Sequence, residues 1–197
     1  MNSALHYSSA SLEWNMPPEI FVAAAKVLGN IDLDPSSNAG QPNVPARQHS
    51  TMAENGLLQP WSGKIYHNPL YGRTIDHWVS RLVESHDAGD VLEAIALLPA
   101  QTDTKWFRIL RSFPRCFIDG RLRFGGSSTG APFPSAVFDL GDSSEWFETV
   151  FGSFGDVFAI VGSERRVVQN SCHDERAGCI AVMPVASGRT GSGKMSC

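Results

Sequence analysis

A short segment that begins at Asn68 carries the residue types needed to hold a planar amine. It reads Asn68-Pro69-Leu70-Tyr71 and follows a short run that is predicted as a strand. The Asn68 side-chain oxygen and the Pro69 carbonyl can both accept hydrogen bonds from one exocyclic amine, while the Tyr71 ring stacks on the heterocycle. Accepting both N–H bonds directs the nitrogen lone pair toward an electrophile, so no strong general base is needed. The alternative is a plain turn, because Asn, Pro and Gly are common turn residues.

A second group of polar side chains lies near residue 33. Apolar and acidic residues alternate over 31–34 ahead of Pro35, which is typical of a short strand that brings a carboxylate to its end. These groups can accept hydrogen bonds from ribose hydroxyls or face an amino group. Taken alone, the segment is also typical of a turn. The side chains concerned are those of Asp32, Asp34, Ser36, Ser37 and Asn38.

A basic stretch lies between Gln101 and Gly125 in a chain that is acidic overall. The chain has 16 Lys and Arg against 20 Asp and Glu, a net charge of -4, whereas this stretch has six basic and two acidic residues, a net charge of +4. Basic side chains beside a base pocket would neutralise phosphates. The alternative is the solvated face of an ordinary helix and hairpin, which we favour for Arg111 and Arg115. The remaining candidates for phosphate contacts are Lys105, Arg108, Arg121 and Arg123.

The overall composition predicts a folded chain and excludes several classes of protein. With 42% hydrophobic and 18% charged residues, the 197-residue chain can bury a sizeable core. Its acidic balance has the wrong sign for a protein that coats nucleic acid or an anionic membrane. The four cysteines have no zinc-site spacing, so no metal is predicted. We found no signal peptide and no apolar run long enough for a membrane span, which favours a cytoplasmic protein.

Periodic patterns define the elements that must position these residues. Pro17-Pro18 opens a predicted helix that Gly29 closes, and Thr74 is placed to cap an amphipathic helix. Asp119-Gly120 predicts a two-residue hairpin turn, and a long loop is predicted over 36–61. The predicted helices cover 19–28, a segment starting at 75, 104–112 and 145–151, and the predicted strands cover 31–34, 64–67, 94–98, 116–118, 121–124, 135–140 and 157–161.

These elements predict a layered α/β domain. Its sheet has about seven strands, is parallel at its centre and ends in an antiparallel edge hairpin. The domain is predicted over residues 1–163. Residues 164–197 are predicted to form a poorly ordered tail, in which 180–183 could add an edge strand.

Several segments, in order along residues 13 to about 140, together resemble a known family. Asn68-Pro69-Leu70-Tyr71-Gly72 resembles an Asn-Pro-Pro-Tyr-Gly catalytic turn. The other segments are Glu13–Glu19, Asp32–Asn38, Thr51–Trp61, Leu98–Phe107, Gly120–Gly125 and Ala131–Ser135. Their combination resembles the phage-type, Dam-like DNA adenine-N6 methyltransferases and is more specific than any single motif.

The resemblance implies a Rossmann-like fold that transfers a methyl group from S-adenosylmethionine to N6 of adenine in double-stranded DNA. The target base would flip out of the duplex, because its amine is otherwise paired. Asn68 and Pro69 would hold the amine, and Tyr71 would stack on the base. The implied cofactor-binding residues are Trp14, Pro17, Asp32, Asp34, Ser36 and Asn38. Trp14 could instead pack against the first helix.

Two positions depart from the family pattern, and they leave alternatives open. Leu70 replaces a second proline, which removes one fixed φ angle from the turn, and Met16 replaces a threonine in a Trp-x-Thr-Pro segment. The same pocket chemistry would serve another planar amine, on an RNA base, cytosine or protein glutamine. A degenerate module that binds DNA or cofactor without catalysis is the other alternative. Oligomeric state and recognition sequence are not specified by the sequence.

Overall fold

A computed structural model describes residues 17–37, 44–51, 53–125, 129–142 and 144–159. Four α-helices lie within these residues: α1 (Pro18–Leu28), α2 (Ile75–Asp87), α3 (Lys105–Ile109) and α4 (Ser144–Phe151). The strands are β1 (Leu33–Ser37), β2 (Gln48–Thr51), β3 (Gly63–His67), β4 (Val91–Pro99), β5 (Arg115–Ile118), β6 (Ser135–Leu140) and β7 (Gly155–Phe158). Short 3₁₀ turns cover Gly56–Leu58 and Leu110–Ser112. The predicted tail over 164–197, together with Trp14, Met16 and Asn38, lies outside the described residues.

The strands form one mixed sheet in the order β2-β1-β3-β4-β6-β5-β7. β2, β1, β3 and β4 are mutually parallel, whereas β6 pairs antiparallel with both β4 and β5, and β7 pairs antiparallel with β5. The predicted seven-stranded mixed α/β sheet is therefore confirmed. From β1 the chain moves to β2 on one side and then returns to β3 on the other, so the strand order reverses between β1 and β3. Open α/β sheets bind ligands at such a switch point, beyond the carboxyl ends of the strands.

Helices cover both faces of the sheet, because alternate strand residues are apolar on each face. On one face, Ile20 of α1 and Phe147 of α4 join a buried cluster with Ile95 of β4. On the other face, Val79 of α2 and Phe107 of α3 join a second cluster. Burial on both faces explains why β4 reads as an almost continuous apolar run. The rigid sheet between these layers positions the loops at its carboxyl edge.

Two predictions about local structure were wrong. The predicted loop over 36–61 contains β2 and a 3₁₀ turn, and β1 itself continues to Ser37. The sequence did not predict β2 because it is a polar edge strand in which only Ser50 is buried. The predicted hairpin does not form: β5 pairs with β6 and β7 instead of with 121–124. Both edges of β5 are occupied, and Leu122 and Phe124 are buried in the cluster beneath α1.

Candidate active site

The predicted turn lies at the switch point of the sheet. Asn68 follows the last residue of β3, and Leu33 of β1 lies opposite Ile65 of β3. This register places Asp34 beside Tyr66 on the face covered by α1, because side chains alternate along a strand. The carboxylate of Asp34 and the Asn68 turn therefore lie on neighbouring strands at this edge of the sheet, and we refer to the space beyond this edge as the crevice. The structure brings together these two predicted parts of the site.

The Tyr71 side chain is anchored by its hydroxyl. Its Oη lies 2.9 Å from Asn68 Oδ1 and 3.1 Å from the carbonyl oxygen of Leu97 in β4. The ring meets Phe124 and Phe133 edge-on, with centroid distances of 6.2 and 5.3 Å. Burial raises the pKa of the Tyr71 phenol, which keeps it protonated. Asn68 is partly exposed and Pro69 is buried, so the turn is packed against the domain at Pro69 while Asn68 stays accessible.

Asp34 is a buried carboxylate in β1. It is 5% exposed, and burial raises its pKa to about 6, although the Ser36 backbone N–H, 3.1 Å from Oδ1, and the charge of His49 lower it. Among the described residues, no lysine or arginine forms a salt bridge with Asp34. The hydroxyls of Ser36 and Ser37 are buried beside the Asp34 carboxylate, and their hydrogen bonds to it also lower its pKa. These groups form a polar lining suited to a ligand with hydroxyl groups and a positive charge.

The carboxylate of Asp32 contacts other residues of the chain near the start of β3. Its carboxylate accepts hydrogen bonds from the Lys64 backbone N–H at 2.9 Å and from Asn30 Nδ2 at 3.0 Å, and it pairs with Arg47 at 3.2 Å. Gly63 has a φ of +76°, and a Cβ there would lie 2.6 Å from Asp32 Oδ2, so this close approach requires glycine. Asp32 precedes β1, at the opposite end of the strand from the crevice.

Pro17 begins α1. Its carbonyl accepts hydrogen bonds from the backbone N–H groups of Ile20 and Phe21 at 3.2 and 3.3 Å, and its ring is buried. Its fixed φ suits the start of a helix. Pro17 therefore places the N-terminus of α1 on the same sheet face as Asp34.

His67 is a buried residue next to the turn that the sequence did not single out. Its ring packs against both Trp61 and Trp78, with centroid distances of 5.3 and 5.6 Å, and the two indole rings also contact each other at 6.0 Å. Neither nitrogen of the His67 ring has a hydrogen-bond partner in the described chain. Burial lowers its pKa to about 3, so the ring is neutral at ordinary pH. Only the three-dimensional fold reveals this pocket, because the two tryptophans come from a loop and from α2.

The four predicted phosphate-binding side chains are exposed. Lys105, Arg108, Arg121 and Arg123 have no hydrogen bond or ion pair to other described residues. Arg121 and Arg123 alternate with the buried Leu122 and Phe124, and Phe124 contacts Tyr71, so this basic segment borders the crevice.

The other two basic residues of this stretch, Arg111 and Arg115, form hydrogen bonds with backbone carbonyls. Arg111 lies 3.4 Å from the Thr102 carbonyl, and Arg115 donates to the Arg111 carbonyl at 3.0 Å. Arg115 also lies over the Phe158 ring at 6.0 Å. Arg73, two residues beyond Tyr71, is a further exposed basic side chain. The sequence analysis did not include it among the candidates for phosphate contacts, although its position beside the turn could have indicated it.

The doubly wound mixed sheet, with its Asn-Pro-x-Tyr turn and buried carboxylate at the switch point, defines a Rossmann-like methyltransferase fold. Residues 5–138 match the family model described as DNA N-6-adenine-methyltransferase (Dam), and the chain belongs to this family. Membership indicates DNA adenine-N6 methyltransferase activity, with DNA as the substrate. No curated protein matches the chain.

Among the described residues, no helix is long and apolar enough to cross a membrane. In the same residues, no three His, Cys, Asp or Glu side chains come together as a metal-binding group.

Proposed function

We propose that this chain transfers a methyl group from S-adenosylmethionine to N6 of adenine in double-stranded DNA, with the flipped base held by the turn from Asn68 to Tyr71. The observation that carries the proposal is the position of this turn beside the buried Asp34 carboxylate at the switch point of the sheet. The groups that would accept hydrogen bonds from the amine and the polar groups that would bind the cofactor thus lie at the same edge of the sheet. Family membership supports adenine rather than another planar amine.

The residues of the crevice fit the proposed cofactor. Asp34 is a buried carboxylate without a salt-bridge partner in the described chain, and the Ser36 and Ser37 hydroxyls are buried beside it. S-adenosylmethionine supplies an electrophilic methyl group on a cationic sulfur, together with an ammonium group and ribose hydroxyls. Asp34 would face a cationic or hydroxyl group, and the serines would complete its hydrogen bonds. Pro17, Trp14 and Asn38 stay in this proposed set, whereas we assign Asp32 a structural role.

The turn would prepare the amine for attack. Asn68 Oδ1 and the Pro69 carbonyl would each accept a hydrogen bond from one N–H group of the amine, which would align the nitrogen lone pair with the methyl group. The nitrogen would take the methyl group from the cationic sulfur, which would keep the electrons of the broken S–C bond, and the amine would release one proton to water. The Tyr71 ring would stack on the base. Leu70 is partly exposed and supplies none of these contacts, so its departure from proline leaves the chemistry in place.

The exposed basic residues would hold the duplex while the base is out of the stack. Lys105 and Arg108 lie on α3, and Arg121 and Arg123 border the crevice through Phe124. Phosphate contacts fix the position of a protein on DNA without reading its sequence. Arg73 joins this set, because it is exposed just beyond the turn. A net-acidic enzyme with a local basic surface would engage DNA transiently and in a salt-sensitive way.

Transfer of a tritiated methyl group to adenine-containing duplex DNA tests the proposal. The purified wild-type chain should label the duplex, and Asn68→Ala should not, while binding of S-adenosylhomocysteine is retained. Asn30→Ala is a matched control, because Asn30 is exposed and contacts Asp32 outside the crevice. Undiminished turnover in Asn68→Ala would refute the catalytic assignment. Labelling of RNA or protein, but not of DNA, would favour the alternative substrates, and binding without labelling would favour the noncatalytic module.

A further inference from the structure

The Tyr71 hydroxyl lies within hydrogen-bond distance of two oxygen atoms of described residues, and it has one proton to donate. Asn68 Oδ1 lies 2.9 Å from Oη, and the Leu97 carbonyl oxygen lies 3.1 Å from it. Both neighbours are acceptors in this arrangement, so they compete for the same O–H. The Leu97 carbonyl belongs to a residue of β4 that is fully buried, and a buried carbonyl left without a donor is costly.

Rotation of the Asn68 carboxamide by about 180° resolves the competition, because it exchanges the positions of Nδ2 and Oδ1. Nδ2 then donates to Tyr71 Oη, and the Tyr71 hydroxyl donates to the Leu97 carbonyl. Oδ1 is released from the hydroxyl and keeps both lone pairs for other donors. This is the state that the target amine requires, since the amine is itself a donor.

We propose that the Tyr71 hydroxyl is a positioning group that holds the Asn68 amide with its oxygen toward the target amine, by bridging that amide to the Leu97 carbonyl. This inference rests on the proposed function. It gives Tyr71 a second role beyond stacking on the base, and the two roles use different parts of the side chain. The ring is partly exposed toward the crevice, while the hydroxyl is anchored on the sheet.

The edge-on contacts explain how the bridge can be maintained. Phe124 and Phe133 meet the Tyr71 ring at interplanar angles of 88° and 84°. Such packing restricts ring rotation and holds Oη near β4. The orientation of the amide is thus tied to a rigid strand rather than to the loop that carries it.

Tyr71→Phe tests this role, because it keeps the ring and removes only the hydroxyl. The assay is single-turnover methyl transfer to a duplex that carries the methylation site mapped by sequencing DNA from expressing cells. We expect the rate constant to fall about tenfold, which corresponds to the loss of one buried hydrogen bond. Binding of S-adenosylhomocysteine and the fluorescence of 2-aminopurine at the target position, which reports base flipping, should stay at wild-type values.

Asn68→Asp supplies the second arm of the experiment. A carboxylate has an oxygen at both positions, so its orientation needs no hydroxyl to set it. The Tyr71→Phe penalty should therefore shrink in the Asn68→Asp background. An unchanged rate in Tyr71→Phe, a rate that falls in step with flipping, or an equal penalty in both backgrounds would overturn the inference. Absence of methyl transfer by the wild type would instead overturn the proposed function.

Discussion

The carboxylate of Asp32 accepts a hydrogen bond from the backbone N–H of Lys64 at 2.9 Å, and this contact links the residue before β1 to the start of β3. Asp34, two residues later, lies buried in the crevice beside Tyr66. Two acidic residues that look equivalent in the sequence thus have different surroundings. One helps to align the parallel strands, and the other lines the proposed cofactor pocket.

Substitution of each aspartate should separate these tasks. Asp32→Ala removes three partners, and we expect it to lower the free energy of unfolding by about 1–2 kcal/mol while leaving cofactor-analogue affinity unchanged. Asp34→Asn should weaken S-adenosylhomocysteine binding without lowering stability. Urea unfolding and calorimetric titration measure the two effects. The assignment fails if Asp32→Ala weakens binding as much as Asp34→Asn does.

Cofactor affinity should depend on pH through Asp34. Burial raises the pKa of this carboxyl to about 6, so it is ionised at pH 8 and only about one-tenth ionised at pH 5. If the ionised form binds the ligand, affinity for S-adenosylhomocysteine should fall about tenfold between pH 8 and pH 5. Asp34→Asn should show a flatter profile over the same range. Parallel profiles for the two proteins would exclude Asp34 as the titrating group.

Asp139 should make the fold less stable as pH rises. This residue is 2% exposed, and burial, together with the charges of Glu93 and Asp142, raises its pKa to about 7. Between the unfolded value of 3.8 and about 7, the folded chain binds more protons than the unfolded chain, so the stability from this group is lost as pH increases through that window.

Asp139→Asn should remove this dependence. We expect it to unfold with a free energy about 2 kcal/mol higher than the wild type at pH 8, and with a smaller difference at pH 5. Urea titrations at the two pH values measure the difference. Asp90→Asn makes the same chemical change at an exposed position and is the control. A variant that is less stable than the wild type at pH 8 would contradict the account.

The exposed basic residues should contribute to DNA binding, unlike the tethered ones. Arg121→Ala and Arg123→Ala should each weaken DNA binding about fivefold and lower the salt dependence, the slope of log K against log salt, by about one unit. Arg111 lies against the Thr102 carbonyl, and Arg111→Ala is the matched control. Fluorescence anisotropy at several salt concentrations measures both quantities. Equal salt slopes for the control and the two variants would remove this segment from the interface.

The sequence predicted the elements whose burial leaves a periodic pattern. The amphipathic helix after Thr74 and the apolar strand around Ile95 both appeared where expected, because each buries a regular set of apolar side chains. β2 has no such set, since it is a polar edge strand. The Asp119-Gly120 signal favoured a hairpin, but burial of Leu122 and Phe124 in the core outweighed this local turn preference.

The site, too, combines features that are visible in the sequence with contacts that only the folded chain creates. Asn68, Pro69 and Tyr71 could be proposed from the sequence because their side chains and order suit the binding of a planar amine. The contact from Tyr71 to the Leu97 carbonyl was not predictable, because any residue offers a backbone carbonyl and only the sheet brings this one to the turn. The contacts of His67 with Trp61 and Trp78 were likewise not predictable, because they depend on how the fold packs these three side chains together.

The central claim is that the Asn68 turn methylates adenine in DNA. Mass spectrometry of DNA from cells that lack other adenine methyltransferases tests it most directly, after expression of the wild-type chain, Asn68→Ala or Asn30→Ala at equal protein levels. The account predicts N6-methyladenine in DNA with the wild type and Asn30→Ala, and none with Asn68→Ala. Unmodified adenine with the folded wild-type chain, or equal modification with Asn68→Ala, would contradict it.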